Sequence, residues 1–438
     1  MKSRSRWLFS VALLAGCRDH RPAARTIETK GPAADIAALA EPRPCVPDNA
    51  APAATGHSHG MRPHRHQDVE ECPVVIDDDD DFANDAAIAR LVTKLLDTAA
   101  DRLDAGSAGA AWTCADRATD LAPRSIDAHL LRGSALGALG RYEESAIAFA
   151  MALALAPNDL AVLRTTADAY LRARSEAVAG TAYAAVALEL ATRGYDVATN
   201  KRTRPSPDAS VIAEFATLRA QALNYLGRGP EALAATDQAL RYAPDQIDAL
   251  YERGAALFDL HRFAEAQVAL EQMLALKPDD AASHDLLGQT LEWLADPRAD
   301  EHFAQARILA PDDYLPPQLI PEPEFRAEIE TVLATLPAEK RAQLKAVRFE
   351  VTDLPLIEDL ASVDPPFPPS ILGLFRSDGS DGKNAAPAGP SIVLYRKNLA
   401  RVAHTRIELS EQIRDTVLHE IGHFDGLDED DLRRRRME

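Results

Sequence analysis

Apolar residues recur through the middle of the chain as paired helical stripes. In SIDAHLLRGSALGALGRYEESAIAFAMALALAP, residues 125–157, two Ala- and Leu-rich stretches flank a Gly-containing turn and stop at a proline. Gly133 and Ala152 are small where the two helices must approach, while Tyr142 and Phe149 fill the space between them. Gly140 turns the chain, and Pro157 ends the second helix because it has no N–H to continue the ladder. The layout returns with Gly254, Phe263, Ala266 and Pro278, and again with Gly288, Phe303, Ala306 and Pro311. After Asp313 the pattern changes at a Pro-rich joint, YLPPQLIPEPEF. Phe325, Ile329, Leu333 and Leu336 then share one helical face, whereas Val347, Phe349 and Val351 alternate as in a half-buried strand. SILGLF and SIVLY read as two more short strands, separated by the polar loop RSDGSDGKNAAPAGP at 376–390, a candidate lid. LSEQIRDTVLHEIGHFDG is a last helix with Ser410 as its expected cap, Ile413, Val417 and Ile421 on one side, and Gly426 at its end.

The repeat prolines stand at 123, 157, 244, 278 and 311, so the intervals are 34, 87, 34 and 33 residues. A period of about 34 is that of the tetratricopeptide repeat. The long interval holds one degenerate unit and an insertion near 194–211, giving about six units over 86–313. A single unit cannot bury its apolar face, so the units must stack into a curved α-solenoid whose concave side commonly holds a peptide or protein. The sequence leaves that partner unidentified.

The chemistry lies in the last helix. His419 and His423 are one turn apart, so both imidazoles project from one side with Glu420 beside them. Two such nitrogens hold one Zn²⁺ when a third ligand joins them, and an open fourth position makes the site catalytic. Gly426 lets the chain reverse, which brings an acid back: Glu429 completes HExxHxxGxxE, with Asp428 as the alternative third ligand. Asp425, Asp430 and Asp431 read as solvated charges, and the arginines at 433–436 as a solvated tail. Glu420 is the candidate general base.

TLPAEK, FEVTDLP, LGLF, IVLYRKNL and TVLHEIGHFDGLDEDDL follow one another in the order seen in the small bacterial zincin-like metallopeptidases, which residues 323–432 resemble. The resemblance implies a minimal α+β zinc-protease fold over 314–438, with the catalytic helix near the end and its support upstream. It also implies hydrolysis of a peptide or protein substrate lying along an edge strand, for which IVLY at 392–395 is the expected candidate. Where family members read His-His-Phe-Gly, this chain has His423, Phe424, Asp425 and Gly426. The overall expectation is a mostly α protein: a tetratricopeptide-repeat α-solenoid followed by a small α+β zincin-like domain. The alternative is a non-catalytic scaffold lipoprotein carrying a degenerate zinc-binding domain.

Charge and the N-terminus narrow the setting. A net charge of −20 over 438 residues excludes an electrostatic grip on nucleic acid. Lys2, Arg4 and Arg6 precede a short apolar run that ends in LAGC, which resembles the lipobox of bacterial lipoproteins with Cys17 as the lipidated residue. Arg18 after that Cys points to the outer membrane, so the expected location is the cell envelope, facing the periplasm. Residues 18–85 read as a tether without periodicity. Its His-rich stretch at 57–66 and acidic run at 77–81 lack the spacing of a closed ligand set. Cys45 and Cys72 are candidates to pair, and Cys114 reads as a buried small apolar residue.

Overall fold

The computed structural model describes residues 71–74, 85–173, 180–200, 202, 206–363, 365–377 and 389–435. Cys17, Cys45, the His-rich stretch at 57–66, the acidic run at 77–81, most of the 376–390 loop and Arg436 lie outside the described residues.

Among the described residues, twelve helices pair in sequence order. They are α1 (Asp85–Asp104) with α2 (Ala108–Leu121), α3 (Ile126–Ala138) with α4 (Tyr142–Leu155), and α5 (Leu160–Ala173) with α6 (Gly180–Thr199). The series continues as α7 (Ala209–Tyr225) with α8 (Gly229–Tyr242), α9 (Ile247–Asp259) with α10 (Phe263–Leu276), and α11 (Ala281–Trp293) with α12 (Ala299–Leu309). Helices α2, α4, α8, α10 and α12 each stop two residues before a repeat proline, since proline also bars its predecessor from helical angles. The irregular third unit takes up its extra length partly in α6, which has 20 residues where α4, α8 and α10 have 14.

Small residues set the spacing within pairs. A methyl group at Gly133 would stand 2.9 Å from the Phe149 ring, and one at Gly254 only 2.6 Å from Leu270. Consecutive first helices pack on one another along the array, while second helices pack chiefly on first helices. First helices therefore form the inner layer of the solenoid. At its start, Cys72 is bonded to Cys114 of α2 with the Cα atoms 4.9 Å apart. The expected pairing of Cys72 with Cys45 is corrected, while Cys114 is buried in an apolar cluster as expected but is a disulfide partner. Cys114 and Val74 lie in one apolar cluster with α1, which brings the 71–74 strap alongside α2.

Past the Pro-rich joint come α13 (Glu322–Thr335), α14 (Ala338–Gln343), β1 (Arg348–Thr352), α15 (Ile357–Leu360), β2 (Gly373–Arg376), β3 (Ser391–Tyr395), α16 (Arg396–Val402), α17 (Arg406–Phe424) and α18 (Glu429–Arg435). The sheet order is β1-β3-β2, with β3 parallel to β1 and antiparallel to β2. IVLY therefore lies in the central strand, not at an edge. All five residues of β3 are buried, and its unbroken apolar run is the mark of a strand covered on both faces. One face carries Ile392 and Leu394 against Phe325, Ile329, Leu409, Ile413 and Val417. The other carries Val393 and Tyr395 against Leu360, Phe367 and Ile371, with Trp293 of α11 closing that smaller cluster.

Among the described residues, no helix is long and apolar enough to cross a membrane.

Candidate metal centre

Helix α17 begins one turn earlier than expected. Thr405 is its cap, accepting from the Glu408 N–H at 3.1 Å, while the Glu408 carboxylate takes the His404 N–H at 2.8 Å. Ser410 sits inside the helix and donates to the Arg406 carbonyl, so it caps nothing. Ile413, Val417 and Ile421 anchor the helix in the core, which leaves Glu420 against β2 and the pair His419 and His423 against Glu429 of α18.

At the far end Gly426 adopts φ +81°, the left-handed conformation that ends the helix and reverses the chain. The returning segment forms α18, with Arg433, Arg434 and Arg435 exposed on it as expected of solvated side chains, though helical and not a loose tail. Asp428 precedes that helix and takes the Asp431 N–H on its side chain at 2.8 Å, which makes it the cap. Glu429, one residue later, is swung inward. Leu432 of α18 is fully buried over Gly422, where a methyl group would meet it at 2.4 Å. The glycine inside HEIGH thus lets α18 close on α17, and a glycine in a helix interior, unfavourable by propensity, was the available sequence signal for it.

Three ligand atoms converge as a result. His419 Nε2 and His423 Nε2 are 3.1 Å apart, and Glu429 Oε1 lies 3.2 Å from the second and 3.6 Å from the first. A tetrahedral ion with bonds of about 2.0–2.1 Å separates its ligand atoms by about 3.3–3.4 Å, so the spacing fits Zn²⁺. A second observation agrees: both Glu429 oxygens are buried and neither has a hydrogen bond of proper geometry, an expensive state for a carboxylate without a cation. His423 Nδ1 donates to the Leu427 carbonyl at 3.0 Å, which leaves its Nε2 lone pair facing the cluster. Asp428, used as a cap, takes no part.

Asp425 is also accounted for. Lys340 of α14 reaches its two oxygens at 2.6 and 2.8 Å, so it is an ion-pair partner and not a solvated charge. Asp430 and Asp431 pair with Arg433 and Arg434 on the exposed side of α18. Arg376, expected in a lid, is instead held by Asp359 and Glu350.

Residues 344–438 match the zincin-like metallopeptidase family, and residues 225–290 match the tetratricopeptide repeat family. The C-terminal part is a zincin-like domain. The array in front of it is similar to several solved structures. One is pilF of Pseudomonas aeruginosa, with TM-score 0.41 and 15% identity over 55% of this chain and 99% of that one. PilW, described as a widely conserved type IV pilus biogenesis factor, gives TM-score 0.43 and 14% identity over 51% and 95%. A tetratricopeptide protein of Thermus thermophilus gives 0.36 and 21% over 47% and 99%. No curated protein matches the chain.

Within the zincin-like domain, Glu420 is buried beside the imidazole pair. Burial pushes its carboxyl above the ordinary value of 4.5, against the opposing charges of His419 and His423 and the Phe375 N–H, which donates to it. Glu429 behaves oppositely: burial works to raise it, but the two imidazoles outweigh that and hold it at about 2. Burial works to lower both histidines, yet the facing carboxylates bring them above 6.5. Two carboxylates beside one imidazole pair are thereby driven apart in acidity, as division into ligand and base requires.

Strand β2 lies directly over this site. A methyl group at Gly373 would meet Thr416 at 2.7 Å and Glu420 Oε1 at 3.2 Å, so only glycine allows the strand so close. Neither Gly373 nor the Phe375 N–H was singled out for a role by sequence, because their contact with Glu420 depends on strand order.

Proposed function

We propose that the chain is a zinc-dependent peptidase whose zincin-like domain hydrolyses peptide bonds, with the repeat array as its protein-binding arm. The observation that carries this reading is the convergence of His419, His423 and Glu429, with Glu420 buried beside them and an open strand edge above. His419 Nε2, His423 Nε2 and Glu429 Oε1 would hold the ion. When bound, zinc supplies Lewis-acid polarisation of a water and of the scissile carbonyl. Glu420, raised in pKa by burial, takes the proton of the attacking water on its carboxylate and returns it to the leaving amine. The Leu427 carbonyl fixes the tautomer of His423 throughout. β2 replaces the central IVLY strand as the proposed docking edge, since among the described residues it ends the sheet. An extended substrate would add alongside it, pairing with its outward backbone groups other than the Phe375 N–H, which Glu420 takes.

Tethering is proposed from LAGC and Cys17 alone: the lipid-modified Cys17 would hold the protein at the cell envelope, at the outer membrane by the Arg18 rule. Such an anchor would place the zincin-like domain facing the periplasm.

The test is Glu420→Gln in the full chain, assayed for metal content and for cleavage of a denatured protein substrate. Zinc is expected to stay near one equivalent while cleavage falls about 10²–10⁴-fold. Identical behaviour of wild type and variant would refute the mechanism and leave the scaffold reading, a repeat lipoprotein carrying a degenerate zinc site.

A further inference from the structure

The last two repeats touch the zincin-like domain at the C-terminal end of α11 and at the turn between α9 and α10. Glu292, near the end of α11, accepts from Lys397 Nζ at 2.9 Å and from Arg401 Nη2, both on α16 of the zincin-like domain. Trp293 stacks on Phe263 with centroids 4.8 Å apart and packs into the apolar cluster behind the sheet. His261, in the turn between α9 and α10, donates from Nε2 to the Phe367 carbonyl at 2.8 Å.

That last contact occurs at an unusual backbone position. The residue after the C-capping leucine of the first helix has positive φ in four repeats: Gly140 (73°), Gly227 (68°), His261 (59°) and Ala295 (53°). Glycine takes this conformation without cost, whereas a side chain there is strained. Repeats two and four use the unstrained residue. In repeat five the place goes to a histidine, and its imidazole makes a hydrogen bond to the other domain. Ala295 takes the same conformation in repeat six with only a methyl group, so the backbone angle alone assigns nothing. At His261 the strained place also carries a hydrogen bond to the other domain, and that contact marks the position.

The gripped segment leads to the candidate metal centre through Glu420. Residues 367–372 run from the Phe367 carbonyl into β2. Buried Asn398, beside Lys397, donates to the Pro369 and Ile371 carbonyls at 2.9 and 2.8 Å. The Tyr395 N–H donates to the Leu372 carbonyl at 2.9 Å. The next residue is Gly373, against Glu420, and two further on is Phe375, whose N–H donates to Glu420.

We infer that repeats five and six form a cis docking surface for the zincin-like domain, with His261 as a positioning residue that latches the segment feeding β2. The repeat arm thereby holds the edge strand over Glu420. This rests on the peptidase reading only for its consequence in substrate binding; the latch itself does not need it.

The experiment is hydrogen exchange by mass spectrometry on the full-length zinc-loaded protein, comparing wild type with His261→Gly, His261→Gln and Trp293→Leu. His261→Gly relieves the strained turn, so the repeats should unfold at the same or a higher temperature. Exchange at 367–376 should nevertheless rise about tenfold, as for loss of one hydrogen bond that holds a locally opening segment. His261→Gln keeps a donor of similar reach and should restore much of the protection, and Trp293→Leu should loosen the same peptides further. In a cleavage assay, His261→Gly should raise KM more than it lowers kcat. Unchanged exchange at 367–376 in His261→Gly would overturn the inference, as would a rise spread evenly over the repeats. Absence of cleavage in the wild type would instead sink the peptidase reading and leave the exchange comparison standing.

Discussion

The repeat array and the zincin-like domain are held together in different ways. Each repeat buries alanine and leucine against its neighbours, and the same solution is used again one unit later, as Gly133–Phe149 and Gly254–Leu270 illustrate. Contacts are local, so a fault in one unit is shared between two interfaces. Among the described residues, the zincin-like domain has three strands of four or five residues and a core that borrows Trp293 from the array. It also contains a buried carboxylate with no proper hydrogen bond, a cost that an ion would remove. Regular stacking tolerates loss, whereas a small non-local domain concentrates its stability and its chemistry in a few side chains.

The sharpest way to test that contrast is to remove the metal. Chelation should lower the unfolding temperature of the zincin-like domain and leave the first four repeats unchanged. A ligand present at about 100–1,000 times its Kd stabilises by about 2.7–4.1 kcal/mol, and that is the loss expected by calorimetry. A uniform shift of the whole protein would show that the two regions are not energetically distinct.

Single residues come next. Glu429→Ala should reduce zinc affinity by more than the roughly 10–100-fold that follows loss of an outer-shell partner. Asp428→Ala removes a helix cap and should cost about 1 kcal/mol of stability while leaving the metal in place. Competition titration with a chromophoric chelator distinguishes the two, and the reverse ranking would exchange the roles given to these acids.

The smallest expected effect is the pH dependence. Both histidines are raised above 6.5 by the facing carboxylates, so protons compete with zinc from above that pH, and affinity should fall about tenfold per unit for each proton taken up. Without metal the sign reverses. The raised histidines contribute stability that is full below 6.5 and is lost as pH rises through their folded values. Glu429, held at about 2, contributes above 4.5 and loses its share as pH falls toward that value. The metal-free cluster should therefore be most stabilising between about 4.5 and 6.5, and the loaded one above it, which thermal melts at several pH values check.

Much of this was legible in the sequence for a physical reason. Helical period and the proline interval are local signals, so the paired helices could be placed without coordinates. The i, i+4 histidines and Gly426 are local too. Glu429 and Asp428 stood equally close in sequence, and only the start of α18, which consumes Asp428 as a cap, separates them. Strand order is a long-range property, and the continuous apolar run of β3 was the neglected hint that it is central. The Cys72–Cys114 bond and the docking of Trp293 join segments far apart in the chain, for which no periodic pattern exists.

The disulfide at the start of the array has a mechanical corollary. Stacked repeats ordinarily peel from their ends, one helix at a time. Here tension applied from the N-terminal side of residue 72 enters the array through Cys114 on α2, bypassing α1. The first helix is then shielded inside a closed covalent loop, and unravelling under load has to begin at the second.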